Sequence, residues 1–461
     1  MRCHRSRAAL PCLLVAVFTL VFAIPSVAQD GATPLQESIN DGQSQGTAEF
    51  RSLRCPAPSN PHRLPFECVG KAFDAIKETL TQDFAGYRTT LAGIGITSIH
   101  SYTAQFMGNP SGGRTQGFTY AGTLEALVAW DIHKLVGVPG LSFNIGASYA
   151  SGKSLSAEYI DNVFTVQSAF SGKGNVNLQQ MYLQQQLFDS AVTVAIGRLA
   201  PANTFAALPV AANYINGGIN SVPGSLGIND PTFAASPPGV EWGTQAIYNL
   251  TREVQVAAGV FNTNPHAASG KDNGINFAFQ QGNKGVLTVA QVSYFNNQAR
   301  RDSGLPGEYT IGGFYDSNNF SSLSSPTVNM AGNYSLYAMF QQMIYREGCY
   351  GSTKGLTVWG EVAMSPKPSV SSVPYSLAGG FSYQGLIPGR NKDIASIGTV
   401  YGTFSGYIPQ TSGEIVVESN YSIALTSWFS ITPDLQYVMK PSGSSEVRNA
   451  VVLGAQLAVT F

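Results

Sequence analysis

Charge is what this sequence has least of. Only 11% of its 461 residues are Asp, Glu, Lys or Arg, against about a quarter in an ordinary soluble domain. The hydrophobic share is an unremarkable 44%. A water-soluble chain of this length would carry more charge on its surface. With 26 basic and 27 acidic residues there is no basic excess, so nucleic acid is not an expected partner. Long apolar runs are also missing beyond the N-terminus. The longest uncharged stretch, Leu199 to Asn229, is full of Pro, Gly and Asn. A bundle of membrane helices is therefore excluded.

Chemistry-bearing residues are equally thin. His62, His100, His133 and His266 have no metal-type partner at the helical spacing, and no CxxC pair exists. No metal and no cofactor is expected. There is no G-x-S-x-G nucleophile elbow. Gly152-Lys153-Ser154 imitates the end of a phosphate loop, but Ala147 stands where its first glycine should be. Lys153 is read as a solvated loop charge. Of five cysteines, Cys3 and Cys12 fall in the leader described next. Cys55 and Cys68 bracket a Pro-rich segment and suit a local disulfide in an oxidising compartment. Cys349 is then a spare thiol.

The first 28 residues have the parts of a secretory leader. Arg2, Arg5 and Arg7 precede an apolar run from Leu10 to Ile24, and Ser26-Val27-Ala28 supplies small residues for cleavage. Residues 29–93 follow as a periplasmic linker with a short helix. Phe73, Ile76, Leu80 and Phe84 fall at helical spacing, and the helix could continue past a break at Gly86.

From residue 94 to 461 the hydrophobic period changes from 3.6 to 2. Gly (49), Tyr (21) and Phe (25) are abundant, together with uncharged Asn, Gln, Ser and Thr. Alternating segments, separated by Gly, Asn, Pro or Asp clusters, predict strands at 94–107, 117–132, 141–151, 175–188, 191–199, 240–250, 253–262, 285–297, 307–318, 332–345, 355–364, 375–386, 392–404, 413–426, 429–439 and 448–461. An even count of sixteen returns both ends to one side of a membrane. Asp189-Ser190, Thr251-Arg252 and Ser427-Trp428 suit tight periplasmic turns, while 152–174, 200–239 and 263–284 suit long outer loops. In the last strand Val451, Leu453, Ala455, Leu457, Val459 and Phe461 share one face. An aromatic C-terminal residue on such a strand is the usual signal read by the barrel assembly machinery. The fold class is thus all-β: a 16-stranded antiparallel transmembrane barrel of a Gram-negative outer membrane, in contact with its lipid.

A pore of this size needs polar inward side chains and an element that narrows it. The candidate is the loop from Pro201 to Gly239, uncharged until Asp230. It carries the aromatics Phe205, Tyr214 and Phe233 and the amides Asn203, Asn213, Asn216, Asn220 and Asn229. Sugars need both hydrogen bonds and apolar contact with ring C–H faces. Strand parity places Glu125, Trp359, Glu361, Glu414, Glu418, Asn420, Asp434 and Gln436 inward. Arg198 has the parity of Val194 and Ile196, so a local bulge is needed to turn it inward. For each of these charges, solvation of the wall competes with contact to a solute.

Gln82-Asp83-Phe84-Ala85-Gly86-Tyr87-Arg88-Thr89-Thr90-Leu91 resembles the entry segment of the carbohydrate-selective porins of the OprB type, with Ala85 in place of one glycine. Gly108-Asn109-Pro110-Ser111-Gly112-Gly113 is similar to that family's first loop. Gly197-Arg198-Leu199, Phe205 and Asn216-Gly217-Gly218-Ile219-Asn220 resemble its fifth strand and constricting loop. Glu418, Tyr421, Trp428, Pro433-Asp434-Leu435-Gln436-Tyr437-Val438, Pro441 and Gly443 resemble its closing strands. The resemblance covers residues 78 to 461. It implies a passive channel for glucose and related sugars, framed by Arg198 and acidic wall residues. Ala200, Ala202 and Asn203 stand where the family tends to be acidic, and Gln179-Gln180-Met181-Tyr182-Leu183-Gln184-Gln185 has Gln where relatives often have Glu. A sugar preference that is broad, or different from glucose, is expected from these departures. The expected function is therefore passive diffusion of small neutral sugars, with neither catalysis nor cofactor. Barrels of this size often form homotrimers, but no strand pattern marks an interface. The rival readings are a general porin, a barrel enzyme acting on lipid through His100 or His266, and a barrel plugged by residues 66 to 92.

Overall fold

The computed structural model describes residues 79–169, 174, 176–234, 240–263, 285–299, 302–349, 351–409 and 411–461. The leader, the linker, Cys55, Cys68, His62, His266 and the start of the expected helix lie outside the described residues.

Sixteen strands run in chain order: β1 (Ile96–Gly113), β2 (Phe118–Asp131), β3 (Leu141–Gly152), β4 (Val176–Leu187), β5 (Val192–Leu199), β6 (Glu241–Asn249), β7 (Val254–Asn262), β8 (Val286–Asn296), β9 (Gly307–Ser321), β10 (Asn329–Arg346), β11 (Gly355–Met364), β12 (Tyr375–Gln384), β13 (Ile394–Thr403), β14 (Gly413–Ala424), β15 (Phe429–Met439) and β16 (Arg448–Thr460). Each pairs antiparallel with its neighbours, and β1 pairs with β16 to close the ring. Closure leaves no sheet edge, which is what lets strands cross a bilayer. Among the described residues, no helix is long and apolar enough to cross one.

The alternation that defines the strands divides them between lipid and lumen. Ile196, Ile311 and Leu453 are 60%, 64% and 51% exposed on the outer wall, where hydrocarbon would cover them. Outward aromatics cluster near the ends of the strands, as in the Trp130–Phe143 and Trp428–Phe429 pairs, the positions expected of an interfacial girdle. The side chains of Glu414, Glu418, Asn420, Asp434 and Gln436 are buried inside, as parity requires.

Three local expectations change. The Gly108–Gly113 segment is not a loop but the end of β1, continuing through register shifts against β16. Gly112 has φ +77, and a Cβ there would lie 1.7 Å from the Asn449 carbonyl oxygen, so only glycine lets the two backbones approach this closely. Residues 79–86 are turns rather than helix. Gln82, Phe84 and Ala85 adopt positive φ, and the helix, α1 (Tyr87–Gly93), forms only after Gly86. The Leu80 N–H donates to the Thr460 carbonyl, so this segment sits at the periplasmic foot of β1 and β16. Cys349, in the β10–β11 turn, is disulfide-bonded rather than spare. Every other cysteine precedes residue 79.

Candidate constriction site

Two outer loops enter the barrel. The β5–β6 loop (residues 200–240) was expected to do so. The β3–β4 loop (residues 153–175), expected to stay outside, does so as well. The reason is apolar surface. Leu155, Ile160, Phe164 and Val166 of the first loop are buried with Phe205, Leu208, Ile215, Ile219, Leu226 and Phe233 of the second. Water would cover these side chains if the loops swung outward, and their burial drives the loops in. They pack on a wall that is apolar at this level: Phe261, Leu287, Val289, Phe314, Val400, Val416, Val438 and Val452. The loops also pair with each other. The Ser168 N–H donates to the Ile215 carbonyl at 3.0 Å and the Gly217 N–H to the Thr165 carbonyl at 2.6 Å.

Inward glycines of the wall provide bays for the loop aromatics. A Cβ on Gly398 would lie 2.7 Å from the Tyr214 ring, and one on Gly380 2.7 Å from its hydroxyl. A Cβ on Gly402 would meet the Phe164 ring at 2.5 Å. Tyr214 donates its hydroxyl hydrogen to the Phe381 or Ile397 carbonyl, at 3.0 and 2.9 Å, and accepts from Trp359 Nε1 at 2.9 Å. Burial pushes that hydroxyl's pKa up, so it stays neutral. On the far side Phe233 stacks on Phe314 at 4.5 Å, and Phe205 meets Phe261 edge-on at 6.2 Å.

Wall carboxylates hold the loop backbones. Glu418 accepts the N–H groups of Ile215 and Asn216 at 2.7 and 2.8 Å. Glu414, four residues earlier on β14, does the same for Val163 and Phe164 at 2.9 and 2.7 Å. It also accepts from the Ser442 N–H at 2.6 Å. Gln436 serves both loops. Its Nε2 donates to the Val166 carbonyl and to Asp434 Oδ2, and its Oε1 accepts from Asn216 Nδ2. Consecutive N–H groups of an irregular loop have no strand partner, and a bidentate carboxylate satisfies two at once.

The sequence candidates therefore separate. Glu418, Asp434, Gln436 and Trp359 come together beneath residues 213–216. Glu125 lies on another sector of the wall, buried, accepting from Gln179 Nε2 at 2.8 Å and Ser101 Oγ at 3.5 Å. Gln179 is the extra residue where the β3–β4 register shifts. Glu361 is 4% exposed, and its Oε2 has no partner among the described residues. Phe205, Tyr214, Phe233 and Asp230 are packed against the wall, each at most 1% exposed. Asn216, Asn220 and Asn229 are likewise buried in bonds within the protein. Arg198 is 6% exposed, unlike Ile196 two residues earlier. It donates to the Val240 carbonyl at 2.6 Å and lies 6.0 Å from the Trp242 ring. No register shift interrupts β5. The backbone departure falls instead at Gly197, with φ +147. Among the described residues, the solvent-reached part of the β5–β6 loop is neutral: Asn203, Ala207, Pro209, Ala212 and Asn213, with Gly227, Ile228 and Pro231 further along.

Sequence reasoning placed Glu414 inward without its loop partners, and it missed Asp316 and the inward glycines. The glycines carried a readable signal, since glycine inside a strand marks a close approach. Among the described residues no group of three or more His, Cys, Asp or Glu could hold a metal. His100 lies on β1 near the C-terminus, its carbonyl bonded by the Phe461 N–H.

Comparison with known proteins agrees with this architecture. The family model described as carbohydrate-selective porin, OprB family, matches residues 115–461. The chain is 23% identical to Porin B of Pseudomonas aeruginosa over 438 residues, covering 85% of this chain and 93% of that protein. It is also 23% identical to the putative porin QuiX of Acinetobacter baylyi, over 84% of this chain and 93% of that one. Among solved structures, the high-pH structure of Pseudomonas putida OprB superposes with a TM-score of 0.77 at 22% identity, over 83% of this chain and 98% of that one. The closed barrel of sixteen strands and the family match over three quarters of its length agree: this chain belongs to the carbohydrate-selective OprB family and is an outer-membrane sugar porin.

Proposed function

We propose that the solutes are small neutral sugars, taken broadly rather than glucose alone, and that they pass down their gradient without turnover. The observation that carries this is the fate of the acids. Glu414 and Glu418 are spent on loop backbone, and Glu125 on Gln179 and Ser101. The reachable loop surface offers Asn203 and Asn213 instead. Neutral amides bond hydroxyls weakly and reversibly, which suits a pore that must release what it binds. The aromatics Phe205, Tyr214 and Phe233, first considered as sugar platforms, serve here to fix the loop that carries those amides. Arg198, Trp359, Glu361, Asp434, Gln436 and Asp230 act on the solute through the loop's position. Insertion into outer-membrane lipid by the barrel assembly machinery, which would read the Phe461 terminus, and a homotrimer of such barrels complete the proposal.

The test is single-channel conductance of the refolded protein in a planar bilayer with a series of sugars. Saturable reduction of the current by mono- and disaccharides, weakened in Asn203→Ala and Asn213→Ala, supports the reading. Conductance that no sugar reduces would make it a general porin.

A further inference from the structure

Two pairs of buried acids lie against the β5–β6 loop, and neither has a cation among the described residues. The first joins Asp230, near the end of the loop, to Asp316 on β9. Asp230 Oδ1 accepts from the Thr232 N–H at 3.0 Å, and Asp316 Oδ1 from the Asn318 N–H at 2.7 Å. The second oxygen of each, Oδ2, has no donor among the described residues. Both side chains are almost completely buried, and their carboxyl groups face one another closely enough to share a proton. The second pair joins Glu418 to Asp434 on adjacent strands. Both Glu418 oxygens accept from the loop N–H groups at Ile215 and Asn216, and Oε1 from Asn420 Nδ2 as well. Asp434 Oδ2 accepts from Gln436, and its Oδ1 is left without a donor beside Glu418.

Two ionised carboxylates in contact, away from water, repel too strongly to persist, and one must be protonated. Among the described residues neither pair belongs to a group of three or more His, Cys, Asp or Glu that could hold a metal ion. One proton per pair supplies the missing donor in each. The groups facing the pairs do not neutralise them by other means. Asp230 meets Asp316 and Thr232; from β10, Asn333 Nδ2 bonds the neighbouring Asn229 carbonyl. Glu418 and Asp434 meet each other, the neutral Tyr214 of the loop, Asn420, Gln436 and, four residues along β14, Glu414. Gly398 of β13 and Gly454 of β16 are their cross-strand neighbours. Desolvation and the Asp316 charge push the Asp230 carboxyl well above the usual range.

We propose that each pair holds one proton and that together they form an alkali-released latch on the β5–β6 loop. The two fastenings lie at different points of the loop, near residues 215–216 and at residue 230. Loss of the first proton leaves two like charges across the loop–wall contact and drives residue 230 from the wall. Loss of the second leaves them side by side within the wall, and the water drawn in to solvate them competes for the Ile215 and Asn216 N–H groups that Glu418 holds. The direction follows from linkage. A carboxyl raised in the docked state contributes stability that is complete below its ordinary value and is lost as pH rises towards the raised one.

The experiment pairs infrared spectroscopy with conductance on the intact refolded barrel. At neutral pH the wild type should show protonated-carboxyl bands that Asp230→Asn and Asp434→Asn each reduce, the double variant showing both losses. Asparagine donates from its amide at any pH, so it replaces the proton. Wild-type conductance should rise on going to alkaline pH, and the double variant should lose that rise. Sugar block is measured at neutral pH in parallel, so failure of the sugar reading is seen separately. Absence of a protonated-carboxyl band that either substitution alters would overturn the proposal. An alkaline rise that persists in the double variant would overturn it as well.

Discussion

The two halves of the lumen wall are built from opposite materials. Towards the outer end, inward positions from β7 to β16 include Phe261, Leu287, Val289, Phe314, Val400, Val416, Val438 and Val452, all in one apolar cluster with the loops, with the acids Asp316 and Glu414 buried beside them. Towards the periplasmic end, inward positions of the same barrel are Gln255, Ser293, Thr357, Ser382, Ser396, Ser422 and Ser430, small or amide-bearing. The barrel is therefore not a uniform polar tube. Its outer half is filled like the core of a soluble protein, while its inner half carries small polar side chains. A constriction made this way has the rigidity of a packed core, although its backbone is irregular.

Substitutions should expose that contrast, because a packed half tolerates less than one lined by small polar side chains. The largest effect is expected of Phe205→Ala. It empties a fully buried ring position and should weaken loop docking by about 3–5 kcal/mol. Hydrogen exchange of the loop amides and loss of sugar block would register it, while strand content by circular dichroism holds. Glu418→Ala leaves the Ile215 and Asn216 N–H groups without their acceptor, at a cost of about 1.5–3 kcal/mol per charged bond. The exchange protection of those two amides should be lost first. Gly398→Ala drives a methyl against the Tyr214 ring and should cost about 1–3 kcal/mol as overpacking does, with raised conductance as the readout. Ser430→Ala at the other end, where the side chain is only half-buried, should change loop exchange by no more than about 0.5 kcal/mol. If it matched Gly398→Ala, the contrast between the halves would fail.

Acid and alkali should also act on different places. Asp393, in the β12–β13 turn, is buried, which alone would raise its pKa. Bonds from Arg390, Tyr421 and the Ala424 N–H outweigh that and hold it below the usual range. Its contribution is therefore present above the ordinary carboxyl value and lost as pH falls through the lowered one. Amide exchange at Ala424 should accelerate in acid, whereas the β5–β6 loop loosens in alkali.

How much of this was legible in the sequence follows from which force acts where. The strands were readable because a wall between lipid and water must alternate at every step. β16 shows this best, with Val451, Leu453, Ala455, Leu457 and Val459 outward as expected. Glu418 and Gln436 could be placed inward by the same parity. What they touch could not, since Ile215 and Val166 come from loops with no period to read. The β3–β4 loop was misread because length alone marks a loop as outer. Its Leu155, Ile160, Phe164 and Val166 follow neither period. Asp230 looked like a lone charge at the end of a neutral loop, and its partner, Asp316, lies 86 residues away in sequence.

The inward glycines have a consequence for how such channels diversify. Gly380, Gly398 and Gly402 are a cast of the side chains they receive. A new β5–β6 loop grafted onto this wall would meet hollows shaped for Tyr214 and Phe164. A bulkier wall would refuse the present loop. Selectivity here is thus inherited as a matched set from distant stretches of the chain, and a change of solute by exchange of the loop alone should fail until strands β12 and β13 are recut to fit.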